Sequence, residues 1–378
     1  MTSRERFRES LLFGEPDRIP FNPGGPREST LAAWHTQGLP KGANYYEALL
    51  EILGIKEKAL PYKSVLNLGV DFRMVPGFEE KVLEHKNGHY IVRDWMGGIT
   101  EISDKYDYTY IRSAKDFVTR RWLKFPVKTR KDWDGKMKWR YNSSSPGRYP
   151  KDFENRCKLL KNRDYPIGFN LSGAFWQLRE WCGLENLCVF MIGDPGWVKE
   201  MIGFWADFIS RTMAPILEKV EVDYIVISED MAYKAHSMIS PMMTRKFLLP
   251  VYNRWVKQIR ESGCPIVAMD SDGYIGELIP IWIDAGFNCC EPMEVAAGND
   301  VVDYRKTYGK KMAYRGGVDK RAIAKGGKIM EEEVRRVVLP LLKEGGFIPS
   351  CDHGVPPDIS WPNFIEYSRL LAKLTGWI

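Results

Sequence analysis

The second half of the chain alternates short apolar runs with longer amphipathic ones. VDYIVISED (222–230) is an apolar run that ends in acids. SPMMTRKFLLPVYNRWVKQIRESG follows with helical spacing, Ser240 as N-cap and Pro241 in the first turn. CPIVAMDSDG (264–273), GFNCCEPMEV, KKMAYRGGVD and GFIPSCDHG repeat the apolar run. YIGELIPIWIDAG, DVVDYRKTYG, MEEEVRRVVLPLLKEGG and NFIEYSRLLAKLTG repeat the helix, and in the last Phe364, Tyr367, Leu370, Leu371 and Leu374 form one stripe. The result is five strand–helix units. The strands lack polar alternation, as parallel strands covered on both faces do. Gly263, Gly286 and Gly345-Gly346 stand where helix C-caps belong.

Each strand ends in polar residues: Ser228-Glu229-Asp230, Asp270-Ser271-Asp272, Glu291 with Glu294, Arg315 to Asp319, and Cys351 to His353. In a (β/α)₈ barrel such ends converge on one mouth, where active sites lie. An open doubly wound sheet would need a glycine-rich phosphate loop after an early strand, and the sequence has none. IPFNPGG (19–25), LGVDFRMV (68–75) and YPIGFNLSG (165–173) are candidates for the remaining strands. Between the last two, HYIVRDWMGGITEIS predicts a β-hairpin, followed by a Trp-rich, loop-like basic stretch. The expected fold is therefore α/β, a (β/α)₈ TIM barrel in a single domain over residues 1–378, with a hairpin and basic-loop insertion at about 76–164.

Composition narrows the class. Hydrophobic residues make up 44% and charged residues 28% of the chain, as in an ordinary globular protein. No apolar run approaches the roughly 18 residues of a membrane span. The N-terminal MTSRERFRESLLFGEPDR is too charged for a signal peptide and reads as a short helix ending near Gly14. Seven cysteines form no framework, so reduced thiols in a cytoplasmic protein are expected. A net charge of +6 from 55 basic and 49 acidic residues gives no case for nucleic acid. The charge is uneven, however: from Arg120 to Arg163 fifteen Lys and Arg accompany four acids. That stretch is either a solvated loop or a docking surface for an acidic partner or substrate.

The candidate chemistry sits at the strand ends. Asp270 and Asp272, two apart, share a face and could ligate a metal or exchange protons; the bland role for Asp272 is to cap the next helix. Glu294 is the expected mouth-lining member of the Glu291/Glu294 pair. His353 is one of five histidines and the one at a strand end, suited to a metal or to proton transfer. Cys351 is either a soft ligand or a small buried hydrophobe, and Asp352 points the other way. Arg27, after Gly24-Gly25-Pro26, suits a carboxylate or phosphate. Asp230 and Tyr233 close the 222–230 strand, Tyr233 as a hydrogen-bond donor or a packing residue. Arg148 and Tyr149 follow a Ser-Ser-Ser-Pro-Gly loop and are placed as part of a lid.

EPDRIPF, YIVISEDMA with its following ISP, MDSDG, GGVDKRAI and IPSCDHGVPPDIS together resemble the uroporphyrinogen decarboxylase superfamily over nearly the whole chain. The resemblance implies a (β/α)₈ barrel and an enzyme, either a decarboxylase or a corrinoid- or coenzyme M-dependent methyltransferase. The decarboxylase motif Arg-x-Ala-Gly-Arg is here Gly24-Gly25-Pro26-Arg27-Glu28, and its acid after the second strand is absent from Phe72-Arg73-Met74. True uroporphyrinogen decarboxylation is not expected. The methyltransferases of the family carry zinc on a His-x-Cys pair and a last Cys; here those places hold Asp270-x-Asp272 and His353. The resemblance thus implies zinc or another divalent ion on Asp270, Asp272 and His353, with Glu294 or Cys351. It implies a methyltransferase that moves a methyl group from a small methoxylated or methylated substrate to the cobalamin of a separate corrinoid protein, and a homodimer. A carboxy-lyase acting on a small carboxylated substrate and a non-catalytic tetrapyrrole- or corrinoid-binding barrel are the alternatives.

Overall fold

The computed structural model describes residues 1–56, 63–64, 68–106 and 120–378. Its strands are β1 (Lys63–Ser64), β2 (Lys81–Lys86), β3 (His89–Arg93), β4 (Ile99–Ser103), β5 (Arg120–Lys124), β6 (Ile167–Ser172), β7 (Tyr224–Ser228), β8 (Ile266–Asp270), β9 (Cys289–Glu291), β10 (Ala313–Val318) and β11 (Phe347–Cys351). The residues group into two compact units, one of 1–65, 159–170 and 220–378, the other of 66–158 and 171–219.

In the first unit a parallel sheet runs in the order β1-β6-β7-β8-β9-β10-β11. Its register pairs Ser228 with Asp270, Asp270 with Glu291, and Val318 with Cys351. Helices connect the strands, as parallel neighbours require, and the arrangement is TIM-barrel-like. On one sheet face Tyr224, Val226, Ile266, Ala268, Cys289, Ala313 and Ile348 pack against Phe7 and Leu11. Those two come from the helix Ser3–Leu11, started by a capping box between Thr2 and Glu5. Buried Asp223 anchors that helix by accepting from Arg4 Nε and Arg163 Nη2, each at 2.7 Å. Strand side chains alternate between faces. The same face therefore continues from the apolar core directly into Ser228, Asp270, Glu291 and Arg315.

Three expectations are corrected. The segment 19–25 is extended but makes only the bridge Pro26↔Val355. Cys351 N–H donates to Pro23 O and Val355 N–H to Gly25 O. A longer ladder fails because Pro20, Pro23 and Pro26 have no N–H to give. The segment 68–75 turns instead of extending: Gly69 has φ +75°, and the Asp71 side chain accepts from Arg73 N–H at 2.9 Å. The helix expected from Ser240 onward divides into Pro241–Phe247 and Leu249–Glu261. Pro250 leaves a carbonyl of the preceding turn without its donor, and the axis breaks there.

In the second unit, β2 to β5 form an antiparallel sheet in sequence order. The hairpin expected from HYIVRDWMGGITEIS is β3 and β4, paired from His89↔Ser103 to Arg93↔Ile99. Asp94 Oδ1 holds the turn by accepting the N–H groups of Met96 and Gly98. The helices Ala174–Cys182, Leu184–Gly193 and Pro195–Lys219 follow. Trp133, Trp181, Trp205 and Tyr141 form their aromatic core. Among the described residues no helix is long and apolar enough to cross a membrane.

Candidate active site

Sheet register builds the floor of the site. Ser228, Asp270, Glu291 and Arg315 occupy one row at the strand ends, directly above the apolar core. Ser228 Oγ donates to Asp270 Oδ2 at 2.7 Å. Arg315 pairs with Glu291 and lies over the rings of Phe7 and Tyr224. The Asp270 carboxyl is thus removed from water and faces the Glu291 charge. Burial first, then Glu291, pushes its pKa up to about 7, with Asp272 and Asp230 adding to the rise. At that value the Asp270 carboxyl exchanges its proton close to neutral pH.

The next layer sits in the loops. His353 Nε2 meets Asp272 Oδ2 at 2.9 Å. His353 Nδ1 lies 2.7 Å from Gly354 N–H and 3.5 Å from Arg27 Nη2. Those donors need a lone pair on Nδ1, which assigns the neutral imidazole its proton on Nε2, toward Asp272. The hydrogen bond to Asp272 raises the His353 pKa, with burial, Lys320 and Arg27 opposing.

Glu294 Oε2 accepts from Gly273 N–H at 3.1 Å, and Lys320 Nζ donates to Glu294 Oε1 at 3.2 Å. Fully buried Asp352 accepts the N–H groups of Val295 at 2.9 Å and Lys320 at 3.1 Å. A closed circuit results: Asp272 to His353, along the chain to Asp352, to Lys320, to Glu294, to Gly273 and back to Asp272. Beside it opens a cleft of about 480 Å³ lined by Tyr233, Lys234, Asp272, Glu294 and Arg321, with Ala232, Ala296 and Ala297.

The structure brings together Asp270, Asp272, Glu294, His353 and Arg27. Tyr233 is 56% exposed at the cleft, held through its backbone to His236 and Tyr274. Asp230 follows β7 with φ +42°. Cys351 takes the hydrophobic role: it is 3% exposed against Gly24, and burial pushes its thiol up to about 12. Arg148 and Tyr149 belong to the second unit. Arg148 is fully buried there and gives its guanidinium to the carbonyls of Asp71, Arg73 and Asn142, a loop staple in place of the expected lid. Tyr149 donates to Thr212 O at 2.8 Å. Sequence reasoning gave no role to Lys320, and it named Ser228, Glu291 and Arg315 as strand-end residues without their partners. The register of the strand ends would have placed the last three in one row.

A metal ion does not fit these side chains as they stand. Among the described residues no three of His, Cys, Asp and Glu converge on one point. Asp270 turns to Ser228, Asp272 to His353, and Glu294 to Lys320. Cys351 is 3% exposed and packs against Gly24.

A TIM-barrel-like sheet with acids and a histidine at its strand ends defines the general class. The family model of uroporphyrinogen decarboxylase (URO-D) matches residues 163–367, more than half of the chain. The chain belongs to that family. A solved structure described as a methyltransferase from Methanosarcina mazei is similar at TM-score 0.58 and 14% identity, covering 100% of this chain and 98% of that one. No curated protein matches the chain.

Proposed function

We propose that the protein is a methyltransferase that takes a methyl group from a small methoxylated or methylated substrate and delivers it to a separate corrinoid protein. The observation that carries this reading is the carboxyl of Asp270 at the end of β8, which accepts from Ser228 Oγ at 2.7 Å and stands in register beside the Glu291 carboxylate. An ether oxygen is a poor leaving group unless it is protonated as its methyl departs. Asp270, hydrogen-bonded to Ser228 and raised to about 7, can supply that proton. The partner's cobalamin would supply the nucleophile. In this chain, Asp270 gives its proton to the oxygen, Tyr233 and Asp230 contact the substrate, Arg27 holds a carboxylate, and the His353–Asp272 pair returns a proton to Asp270. The name of the Methanosarcina neighbour agrees with this class of reaction.

The corrinoid protein needs a docking face. Several cations of the basic stretch are already paired or buried: Arg130 with Asp194 and Glu200, Lys136 with Asp132, and Arg163 with Asp223. Lys124, Lys128 and Lys131 remain exposed and are the part of that stretch proposed to meet the partner. Reversing those three charges lowers methyl transfer if the face is used, and the docking idea is dropped if transfer is unchanged.

A carboxy-lyase on a small carboxylated substrate is the second reading, favoured by Arg27 at 3.5 Å from His353, a place where a carboxylate could be held beside a proton donor. One experiment separates the two. A panel of ¹³C-methoxylated and ¹³C-carboxylated small aromatics is incubated with the protein, with and without a reduced corrinoid protein. Methyl loss that depends on the corrinoid protein supports methyl transfer; labelled carbon dioxide released without it supports the lyase.

A further inference from the structure

The circuit around the mouth contains one ammonium, and its placement is specific. Lys320 is only 17% exposed at the side chain, and Glu294, which it contacts at 3.2 Å, is 23% exposed. Its backbone N–H is held by buried Asp352, which also holds Val295, the residue after Glu294. One carboxylate thus sets both ends of the Lys320–Glu294 contact. The second carboxylate oxygen of Glu294 is taken by Gly273 N–H, next to Asp272. Asp272 is taken in turn by His353.

We propose that Lys320 is the resident cation of this mouth: its ammonium supplies the positive charge that a divalent ion would otherwise supply, and keeps such an ion out. Two effects act together. The ammonium occupies a Glu294 oxygen that a metal would need. It also places a positive charge beside the remaining candidate ligands, and that charge repels a second cation strongly where water is scarce. A side-chain cation needs no loading, and its position is set by the loops that Asp352 ties together. Lys320 is a positioning residue here, acting on Glu294 and, through the circuit, on Asp272 and His353. The inference is independent of whether the reaction is methyl transfer or decarboxylation.

The test reads metal, not turnover. Protein purified without chelator is analysed for metals and then titrated with zinc chloride, and separately with manganese chloride, by calorimetry. The wild type is expected to carry well under one zinc per chain and to bind neither ion stoichiometrically. Lys320→Met removes the charge but keeps the backbone N–H that Asp352 accepts, so the loops stay anchored. It is expected to gain affinity for zinc by about tenfold or more, a change of about 1.4 kcal/mol. Lys320→Arg, which keeps a cation, is expected to behave like the wild type. A wild type that holds close to one zinc per chain, lost in His353→Ala, overturns the proposal. So does a folded Lys320→Met protein, checked by circular dichroism, that binds zinc no better than the wild type.

Discussion

Asp272 and His353 lie 81 residues apart in the chain, and their side chains meet at 2.9 Å. The pair ties the loop after β8 to the loop after β11. Asp272 is the largest cause of the raised His353 pKa. A raised histidine pKa contributes stability below the unfolded pKa, about 6.5, and that contribution is lost as pH rises through the folded value. Asp272→Asn should therefore lower the His353 pKa and flatten the fall in stability on the alkaline side of about pH 6.5. The NMR titration of the His353 ring protons checks this. An unchanged pKa in the variant would remove Asp272 as the cause.

Asp270 makes a prediction of the same sign, over a lower pH window. Its folded pKa, raised to about 7, lies above that of an unfolded aspartate. Between the two values the folded state binds more protons than the unfolded state, so stability falls as pH rises through that window, at roughly 1 kcal/mol per pH unit. Asp270→Asn abolishes the slope and is relatively more stable at pH 8 than at pH 4. The same substitution removes the acid that the proposed reaction needs, with an expected loss of about 10²- to 10⁴-fold in rate. Wild-type turnover should decline above about pH 7 as Asp270 loses its proton. A rate that stays flat to pH 9 while the stability slope is present would separate the two roles and leave Asp270 without a catalytic one.

The sequence made β6 to β11 and their polar ends legible because buried parallel strands leave an unbroken apolar signature, and the row below Asp270 follows from register alone. IPFNPGG was readable as extended but not as lacking a full ladder, since the pattern gives the apolar count before it gives the N–H groups missing at Pro20 and Pro23. The pairing of Asp272 with His353 and of Glu294 with Lys320 was not legible. Both join loops far apart in the chain, and no periodicity encodes which cation faces which acid. That is why a metal set looked available among Asp270, Asp272, Glu294, His353 and Cys351, while the fold turns Asp270 to Ser228 and Glu294 to Lys320, pairs Asp272 with His353, and buries Cys351.

Gly316 shows how tightly the rim is packed. It adopts φ +97°, and a Cβ there would lie 2.0 Å from the carbonyl oxygen of Pro292. Both obstacles involve backbone, so neither can be relieved by a side-chain rotation. Gly316→Ala is expected to cost more than about 4 kcal/mol, at the severe end of single substitutions, and to displace β10 from the Glu291 end of β9. Gly135→Ala is the control, because nothing lies within 4 Å of its Cβ position. Urea denaturation of the two variants checks the contrast. Equal midpoints would mean that the rim yields more easily than its geometry allows.

Asp352 carries the heaviest structural duty of the stretch that ends β11. It is fully buried, and its two oxygens accept from Val295 and Lys320. Burial raises its pKa, with the two N–H groups and the Lys320 charge opposing. Asp352→Asn keeps the shape but replaces one acceptor with an NH₂ group, which faces an N–H donor and leaves it unpaired. The expected cost is about 1–3 kcal/mol, read as a lower denaturant midpoint at unchanged slope. Because Asp352 sets both ends of the Lys320–Glu294 contact, the variant should also loosen that ion pair. In the Asp352→Asn background, adding Lys320→Met should then cost less than it does in the wild type, a coupling measurable by a double-mutant cycle. Strict additivity of the two substitutions would show that Asp352 supports the loops without positioning Lys320.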